Sequence, residues 1–242
     1  MNNKVYIHEF IDITKQNRAR YMQHMTANWS PIAQEQRGQL CYGVWGVVGS
    51  TGRWPQVVNL WEEDGLDGLA ESFSLELGSP TLQDPALAKW WAAAADLRSG
   101  GFDRLLVPHP ETGTIEALCE SGAGATTYAH EIVRVDPGGA MELCDAAVAA
   151  TEQVHERIGW QLIGAWRTAM SADDECVLLW AIPGWPQWSA GEQVLLDTPN
   201  LLYPASAAQI RHRHRILLID APLAPLRTGR QPHRDDRTDW ED

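Results

Sequence analysis

Two histidine–glutamate dipeptides, His8-Glu9 and His130-Glu131, are the residues of this chain best suited to chemistry. Each lies in a segment of alternating residue types, which is typical of a β-strand. A neutral imidazole in an apolar cavity can act as a general base or acid, because its unperturbed pKa lies near neutrality. We therefore take both histidines as candidate catalytic residues. The alternative is a hydrogen-bonded structural role for each.

The neighbours of His8 indicate which way it points. Residues i and i+2 of a strand share a face, so His8 lies with Tyr6 and Asp12. The other face is aliphatic apart from Glu9, and we expect it to pack on helices. His8 should then face the interior. A zinc helix of the H-E-x-x-H type is excluded, because Asp12 stands where the second histidine would be.

His130 repeats this arrangement with different neighbours, Tyr128 and Arg134. Asp12 lies about 7 Å from His8 by strand rise, so a water or another residue would have to connect them. A nearby carboxylate raises the pKa of a histidine and an arginine lowers it. We favour His8 as the proton-transfer residue, oriented by Asp12. Arg134 would contact an anionic or carbonyl group of the substrate.

Metal and haem ligands are weaker candidates. His212 and His214 share a strand face, but alternating basic residues are more typical of an exposed strand entry than of a metal site. We predict no bound metal and no organic cofactor. Haem is a third hypothesis, with His130, His155 or His214 as its axial ligand. No phosphate-binding loop or dinucleotide fingerprint is present.

The composition limits the partners. The formal net charge of −13 argues against nucleic acid and anionic lipid, which need a basic surface. Four scattered cysteines and no signal-like N-terminus predict reduced thiols and a cytoplasmic protein. The chain has 12 tryptophans against 3 phenylalanines, which favours aromatic surfaces in pockets or interfaces. We expect an apolar small molecule as the partner.

The chain also repeats itself. Segments of the first half recur in the same order roughly 120 residues later. The segments around His8 and His130 match, as do Gly43-Val44-Trp45 with Gly164-Ala165-Trp166 and Asn59-Leu60-Trp61 with Leu178-Leu179-Trp180. Chance matches would not keep their order, so the pattern predicts a duplication.

Each repeat has the pattern β-α-β-β-α-β. In the first, we expect strands at about 4–13, 39–49, 56–63 and 102–107, with a helix kinked or ended near Pro31 and others at 65–78 and after Asp84. In the second, we expect strands near His130 and at about 160–170, 175–182 and 212–219. The domains are then 1–108 and 126–222, with a linker at 109–125 and a flexible tail at 223–242.

This order predicts an α+β fold of two tandem ferredoxin-like repeats. Each unit forms a four-stranded antiparallel sheet with helices on one face. Two such sheets can cover each other's bare faces, packed sheet-to-sheet as an α+β barrel with room for one small ligand. We expect Trp45, Trp61, Trp166 and Trp180 to line that pocket, with Tyr6 and Tyr128 as further substrate contacts.

The His-Glu strand starts, the Gly-x-Trp strands and the Trp61 and Trp180 strands resemble the NIPSNAP family of the dimeric α+β barrel superfamily. The resemblance covers roughly residues 4–108 and 126–222. It implies cofactor-free monooxygenases, small lyases and isomerases, or haem enzymes, among the relatives. The family usually has tyrosine where this chain has His8 and His130, so no catalytic residue is transferred from it.

We expect a small-molecule enzyme without organic cofactor that uses histidine-assisted proton transfer, of lyase, isomerase, hydratase or monooxygenase type. The alternative is a non-catalytic carrier or sensor of apolar metabolites. We also expect a homodimer, although a monomer can cover its own sheets. The adjacent Trp90 and Trp91 cannot both point inward from one helix, so one of them should meet a partner or the linker.

Overall fold

The observed strands match those predicted from the sequence. The computed structural model describes residues 2–204 and 210–236, and within them eight strands are present. They are β1 (Val5–Ile13), β2 (Leu40–Val47), β3 (Gln56–Glu63), β4 (Arg98–Pro108), β5 (Thr127–Arg134), β6 (Gln161–Ala169), β7 (Glu175–Ile182) and β8 (His212–Asp220). The predicted strands are confirmed. Strand β4 begins earlier than expected, because it also pairs with β1 at Arg98.

Helices connect the strands in both halves. The α-helices are α1 (Arg18–Gln23), α2 (Ser30–Arg37), α3 (Gly65–Leu77), α4 (Ala88–Ala95), α5 (Ile115–Ser121), α6 (Ala140–Ala149), α7 (Thr151–Ile158), α8 (Trp185–Asp197) and α9 (Pro225–Thr228). A π-helical segment, His24–Trp29, joins α1 to α2, and short 3₁₀ turns lie at Pro85–Leu87 and Arg234–Asp236. None of the helices in the described parts of the chain is both long and apolar enough to cross a membrane.

Pro31 does not end the first helix. The helix continues to Arg37, and the π-helical segment directly precedes the proline. The backbone N–H of Ser30 bonds to the carbonyl of Met25, one residue further back than in an α-helix. A proline has no N–H to give and crowds the preceding turn, so a locally wider turn accommodates it.

The strands form a closed antiparallel barrel in the order β1-β3-β2-β8-β5-β7-β6-β4. Within the first half the order is β4-β1-β3-β2, and within the second it is β8-β5-β7-β6, so the two halves have the same topology. The predicted α+β barrel of two ferredoxin-like units is confirmed. Its sheets do more than face each other, because backbone pairing of β2 with β8 and of β4 with β6 joins their edges.

Side-chain alternation separates two environments. Tyr6 packs with Tyr128, Leu106 and Leu218 inside the barrel. Ile7 and Ile11, which alternate with it, pack against the helices of the first half. The helices of the second half cover a third cluster that includes Val133 and Leu178. The predicted inward orientation of the histidine face is thus the observed one.

The Gly-x-Trp pattern has a steric cause. The pairing register shifts between Cys41 and Gly43 in β2, and a matching shift lies beside Gly164 in β6. A β-carbon on Gly43 would lie 2.0 Å from the ring of Trp45, which folds back over the glycine. A bulge with glycine therefore lets each indole turn into the barrel.

We expect Gly43→Ala to destabilise the fold. The ring of Trp45 is buried in packed surroundings and cannot move aside cheaply, so the clash should lower the free energy of unfolding by about 1–3 kcal/mol. The matched control is Gly46→Ala on the same strand, where the nearest atom would lie 3.5 Å from the new β-carbon. Urea unfolding followed by circular dichroism measures both. Equal losses in the two variants would contradict this explanation of the pattern.

The flexible-tail prediction needs correction for residues 223–236, and residues 237–242 lie outside the described residues. Ala224 and Leu226 are buried, and the side-chain amide of Gln231 both donates to the carbonyl of Cys41 (2.8 Å) and accepts from its N–H (3.0 Å). Cys41 lies at the bulge, where ladder pairing is interrupted. A few apolar anchors and this amide order a segment whose composition is polar.

We expect a chain truncated after residue 222 to be less stable by at least about 2 kcal/mol, because it loses the buried Leu226 side chain and the amide of Gln231. A chain ending at residue 236 retains all of these contacts and is the control. Thermal melting of both proteins beside the full chain measures the difference. Identical melting of the two truncated chains would show that the segment contributes nothing.

Neither Trp90 nor Trp91 needs a partner chain or the linker to cover it, contrary to the expectation. Trp90 is buried, and Trp91 packs partly buried against the same helix-covered cluster. The two indoles meet edge-on at 4.9 Å, and the guanidinium of Arg98 lies over the ring of Trp91. Both rings are therefore accommodated within the first half. The homodimer stays a prediction without this support.

Candidate functional site

The two predicted histidines meet at the centre of the barrel. Strand β1 brings His8, and β5 brings His130, so that their Nε2 atoms lie 2.9 Å apart. The two imidazole planes are nearly parallel, with 10° between them. Both side chains are buried, at 1% and 3% exposure. A contact this short between two ring nitrogens is a hydrogen bond in which one ring donates and the other accepts.

Both rings are neutral near pH 7. Burial, the neighbouring His130 and the charge of Arg104 hold the pKa of His8 well below its ordinary value. Burial, followed by Arg104 and His214, lowers the pKa of His130 to about 3. Neither Asp12 nor Arg134 contributes to these shifts, so the expected opposite effects of the two residues on the histidine pKa values are not found. Burial in the same barrel interior dominates both groups.

The direction of the hydrogen bond between the two rings depends on their tautomers. A backbone hydrogen bond at His130 raises its pKa slightly against the larger effects. The Nδ1 of His8 is buried and without a hydrogen-bond partner among the described residues.

Asp12 does not orient His8. Its carboxylate accepts a hydrogen bond from Gln56 (3.1 Å) and lies 3.3 Å from Arg53. The strand spacing had already placed it too far for direct contact with the imidazole. The partner of His8 is instead the equivalent histidine of the other half, which repeat comparison could not reveal because it says nothing about contacts across the barrel.

Arg104 is the main residue that sequence reasoning missed. It lies directly opposite His8 in the β1–β4 ladder, and its side chain is 10% exposed. Its Nε donates to Glu175 (2.7 Å), while its Nη1 is buried without a partner in the described structure. Alternation with the apolar Leu106 was the available signal, since it places Arg104 on the inner face of the predicted strand.

Glu175 links the polar groups at this end of the barrel. It accepts hydrogen bonds from Arg104 and from the hydroxyl of Thr168 (2.9 Å), and its second oxygen lies 3.4 Å from Arg134. Burial acts to raise the pKa of Glu175, but these donors outweigh it and the pKa is lowered. Glu175 is an anion at neutral pH and compensates part of the positive charge.

Arg134, the expected substrate contact, lies at the rim. Its side chain is 53% exposed, and its two hydrogen bonds to Glu175 are both long, at 3.4 Å. The first half has a corresponding pair in Gln56 and Asp12, which occupy the positions equivalent to Glu175 and Arg134. We call this end of the barrel, with Asp12, Phe10, Arg104, Arg134 and Glu175, the polar mouth.

The opposite end of the barrel is filled by rings. Tyr6 meets both Tyr42 and Trp166 edge-on at 5.5–5.6 Å, and Trp45 meets Tyr128 at 5.9 Å. All five are at most 1% exposed. Trp45, Trp166, Tyr6 and Tyr128 thus come together as expected, but as a packed floor. Contacts with a substrate stay a prediction for these four.

Buried carboxyl groups hold the two floor tyrosines. The hydroxyl of Tyr6 donates to Glu62, and that of Tyr128 donates to Asp220, both at 2.9 Å. Burial raises the pKa of Asp220 to about 7, although Tyr128 and the nearby indole of Trp45 offset part of the shift. The two carboxyl groups come from non-equivalent strands, β3 and β8. Each half therefore places the acceptor for its tyrosine hydroxyl on a different strand.

Trp61 and Trp180 do not line the interior of the barrel, contrary to the expectation for them. Both lie on the helix-covered outer faces of their strands, apart from the barrel interior. Trp61 donates its indole N–H to Glu9 at 2.7 Å. The reason is alternation: Leu60 and Leu179 point inward, so the next residue of each strand must point outward.

The haem hypothesis finds little support in the donor set. The Nε2 of His130 is engaged by His8, His155 is exposed on α7, and His214 is exposed at the start of β8. None of the three offers a free imidazole nitrogen inside the barrel. Over residues 2–204 and 210–236, no group of three or more His, Cys, Asp or Glu side chains could hold a metal ion.

Comparisons with known proteins agree with the fold. A suggested monooxygenase from Lactobacillus acidophilus NCFM has 8% sequence identity, covers 90% of this chain and 94% of its own, and gives a TM-score of 0.54. An anthrone oxidase-like protein has 10% identity, with 88% and 94% coverage and a TM-score of 0.55. At these identities the likeness establishes the fold alone.

The resemblance to the NIPSNAP family is not established by these comparisons. A NIPSNAP-like domain protein from Burkholderia xenovorans is also similar, at 18% identity over 47% of this chain and 92% of its own. Its TM-score of 0.36 is too low to support an argument. No family model matches the chain, and no curated protein matches it. The NIPSNAP resemblance therefore stays a prediction.

We expect the double variant His8→Gln, His130→Gln to lose less stability on acidification than the wild type. Folding lowers both pKa values, so the unfolded chain binds protons first. The contribution to stability is complete above about pH 6.5 and is lost as the pH falls toward the folded-state values. Each such histidine lowers the free energy of unfolding by about 1.4 kcal/mol per pH unit in that window. Urea unfolding at pH 7, 6 and 5 measures the slope.

The buried carboxyl groups are common to both proteins, so the difference between the two slopes reports the histidines. Carboxyl groups with raised pKa values, such as Asp220, change stability in the opposite direction and cancel in this comparison. Parallel slopes would show that the two imidazoles are not held neutral by folding.

Proposed function

We propose that this protein is a small-molecule enzyme that works without an organic cofactor, in which His8 takes a proton from the substrate and His130 shares it. The observation that carries the proposal is the buried and unpartnered Nδ1 of His8. We assign the tautomers so that His8 donates its Nε2–H to His130, which leaves a lone pair on Nδ1 of His8. Buried polar atoms are normally hydrogen-bonded, and an exception at a perturbed titratable group is a candidate for function.

The hydrogen bond between the rings supports a relay. When the substrate's C–H or O–H bond breaks, its electron pair stays on the substrate and the proton goes to His8 Nδ1. His8 can then pass its Nε2 proton across the 2.9 Å contact to His130, which becomes the imidazolium. The positive charge thus moves one ring away from the newly formed anion. Arg104, whose charge acts on both rings, would stabilise that anion.

The low pKa values limit the substrates that fit. A weakly basic imidazole removes only a proton that is already acidic, such as one beside a carbonyl group or on a phenol. Lyase, isomerase, hydratase and cofactor-free monooxygenase reactions can all begin with this step. The similar structures described as a suggested monooxygenase and an anthrone oxidase-like protein are consistent with such chemistry in a barrel of this kind.

A non-catalytic carrier is the second candidate. It is favoured by the ring-filled floor, where Tyr6, Tyr42 and Trp166 contact one another closely enough to be purely structural. In that case the histidine pair would serve as a buried hydrogen bond between the halves. A carrier would bind and release its ligand unchanged, whereas the enzyme would exchange the ligand's acidic proton with solvent.

We expect His8→Gln and His130→Gln each to lower turnover by about 10²–10⁴-fold, because each removes one end of the proton relay. The assay follows deuterium exchange or conversion in a panel of phenols and enolisable ketones. The control is His233→Gln, an exposed histidine near the C-terminal end of the described chain, which should keep wild-type turnover. Melting curves verify that each variant is folded.

The tautomer prediction gives a test that needs no substrate. Nitrogen-15 NMR of the wild type should show an unprotonated Nδ1 in His8 and a protonated Nδ1 in His130. If both variants fold and turn substrate over at the wild-type rate, the relay is wrong and the carrier candidate gains support.

A further inference from the structure

Arg104 carries a donor that the fold leaves unused. Its side chain is nine-tenths buried, and its Nη1 has no hydrogen-bond partner among the described residues. Leaving a buried charged donor unsatisfied costs on the order of 1–3 kcal/mol or more. Strand β4 could have carried an apolar residue here, as Leu106 two positions on does. A ligand that accepts this hydrogen bond would explain why the cost is tolerated.

The second half lacks this group. His8 pairs with Arg104 in the β1–β4 ladder, and at the equivalent place His130 pairs with Ile216. Within residues 2–204 and 210–236, the barrel therefore has one buried guanidinium beside its axis although its topology is twofold. A single cation at a pseudosymmetric site defines one binding orientation, with the charged end of the ligand toward the first half.

The neighbours of the guanidinium are aromatic. Phe102 lies over it at 4.6 Å and Phe10 at 5.7 Å, while Ile132 and His214 stand at the equivalent positions of the second half. Phe102 is 56% exposed, an unusual position for a phenylalanine. An exposed ring that lies on the guanidinium can move aside and then stack on an aromatic ligand.

The charge at the polar mouth also favours an anion. Arg53, Arg104 and Arg134 form ion pairs with two carboxylates at this end, Asp12 and Glu175. These five groups carry one positive charge in excess, in a chain whose formal net charge is −13. An anionic ligand would be repelled by most of the surface and attracted at this end of the barrel.

We propose that Arg104 is the binding point for one anionic oxygen, a carboxylate or phenolate, of a small aromatic substrate. The oxygen accepts from Nη1, Glu175 holds the guanidinium through Nε, and Phe10 and Phe102 contact the ring. The proposal deepens the proposed function, because it names the class of substrate that would be placed beside His8.

The test compares 1-naphthoate with its neutral isostere 1-naphthamide by isothermal titration calorimetry. A charged hydrogen bond is worth about 10–150-fold in affinity. We expect naphthoate to bind the wild type at least about tenfold more tightly than naphthamide, and Arg104→Gln to abolish that preference. Equal affinities of the wild type for the two ligands would overturn the proposal.

Controls separate the local contact from general charge effects. Arg211→Gln makes the same change in net charge at an exposed arginine that pairs with Asp136, and it should keep the naphthoate preference. Because Arg104→Gln alone leaves Glu175 buried without its main partner, the double variant Arg104→Gln, Glu175→Gln is measured as well. A preference that survives in a folded double variant would also overturn the proposal.

Binding and turnover can fail independently. If naphthoate binding depends on Arg104 while the histidine variants keep full turnover, the proposed relay is wrong and the anion site stands. If the histidine variants lose turnover while the wild type binds naphthoate and naphthamide equally, the relay stands and the anion site is wrong.

Discussion

Backbone pairing between the two halves determines most of what is distinctive in this molecule. Strand β2 joins β8 and strand β4 joins β6, and these two seams convert a pair of four-stranded sheets into one closed barrel. Closure leaves no free edge and encloses the inner faces completely. Equivalent residues of the two halves then face each other across a common axis. The contact between His8 and His130 is a direct result, since the innermost equivalent side chains must meet there.

The enclosed interior divides into two ends of different character. At one end, five aromatic rings pack against each other and bury the carboxyl groups of Glu62 and Asp220 under tyrosine hydroxyls. At the other, arginines and carboxylates neutralise one another only in part. Low dielectric surroundings make every unpaired polar atom between these ends costly. The unpartnered nitrogens of His8 and Arg104 lie in this zone, and we therefore look there for chemistry.

Small departures from symmetry matter more than the symmetry itself. The two halves have equivalent strands and equivalent histidines, yet the second half has Ile216 at the position of Arg104 and Ile132 at the position of Phe10. A symmetric site would offer a substrate two equal orientations. Changing one side of each equivalent pair removes this ambiguity while the packing of the barrel is kept. The hydrogen bond between His8 and His130 is itself asymmetric, because one ring donates and the other accepts.

Much of the fold could be predicted from the sequence, because it depends on local and periodic signals. Alternation identified the strands, and the ordered recurrence of segments such as Gly43-x-Trp45 and Gly164-x-Trp166 identified the two equivalent units. These signals lie within one element or between aligned elements. Alternation also indicates, in hindsight, that Trp61 and Trp180 point outward once Leu60 and Leu179 are placed inside.

The site could be predicted only in part. The sequence by itself determined that two histidines stand at equivalent, inward-facing positions of two similar units. It did not determine their partners. The pairing of His8 with His130, the role of Arg104 and the loss of Asp12 as an orienting group all depend on distances across the barrel. Only the tertiary structure decided these, because barrel closure brings together side chains that no local pattern relates, and burial then sets their charge.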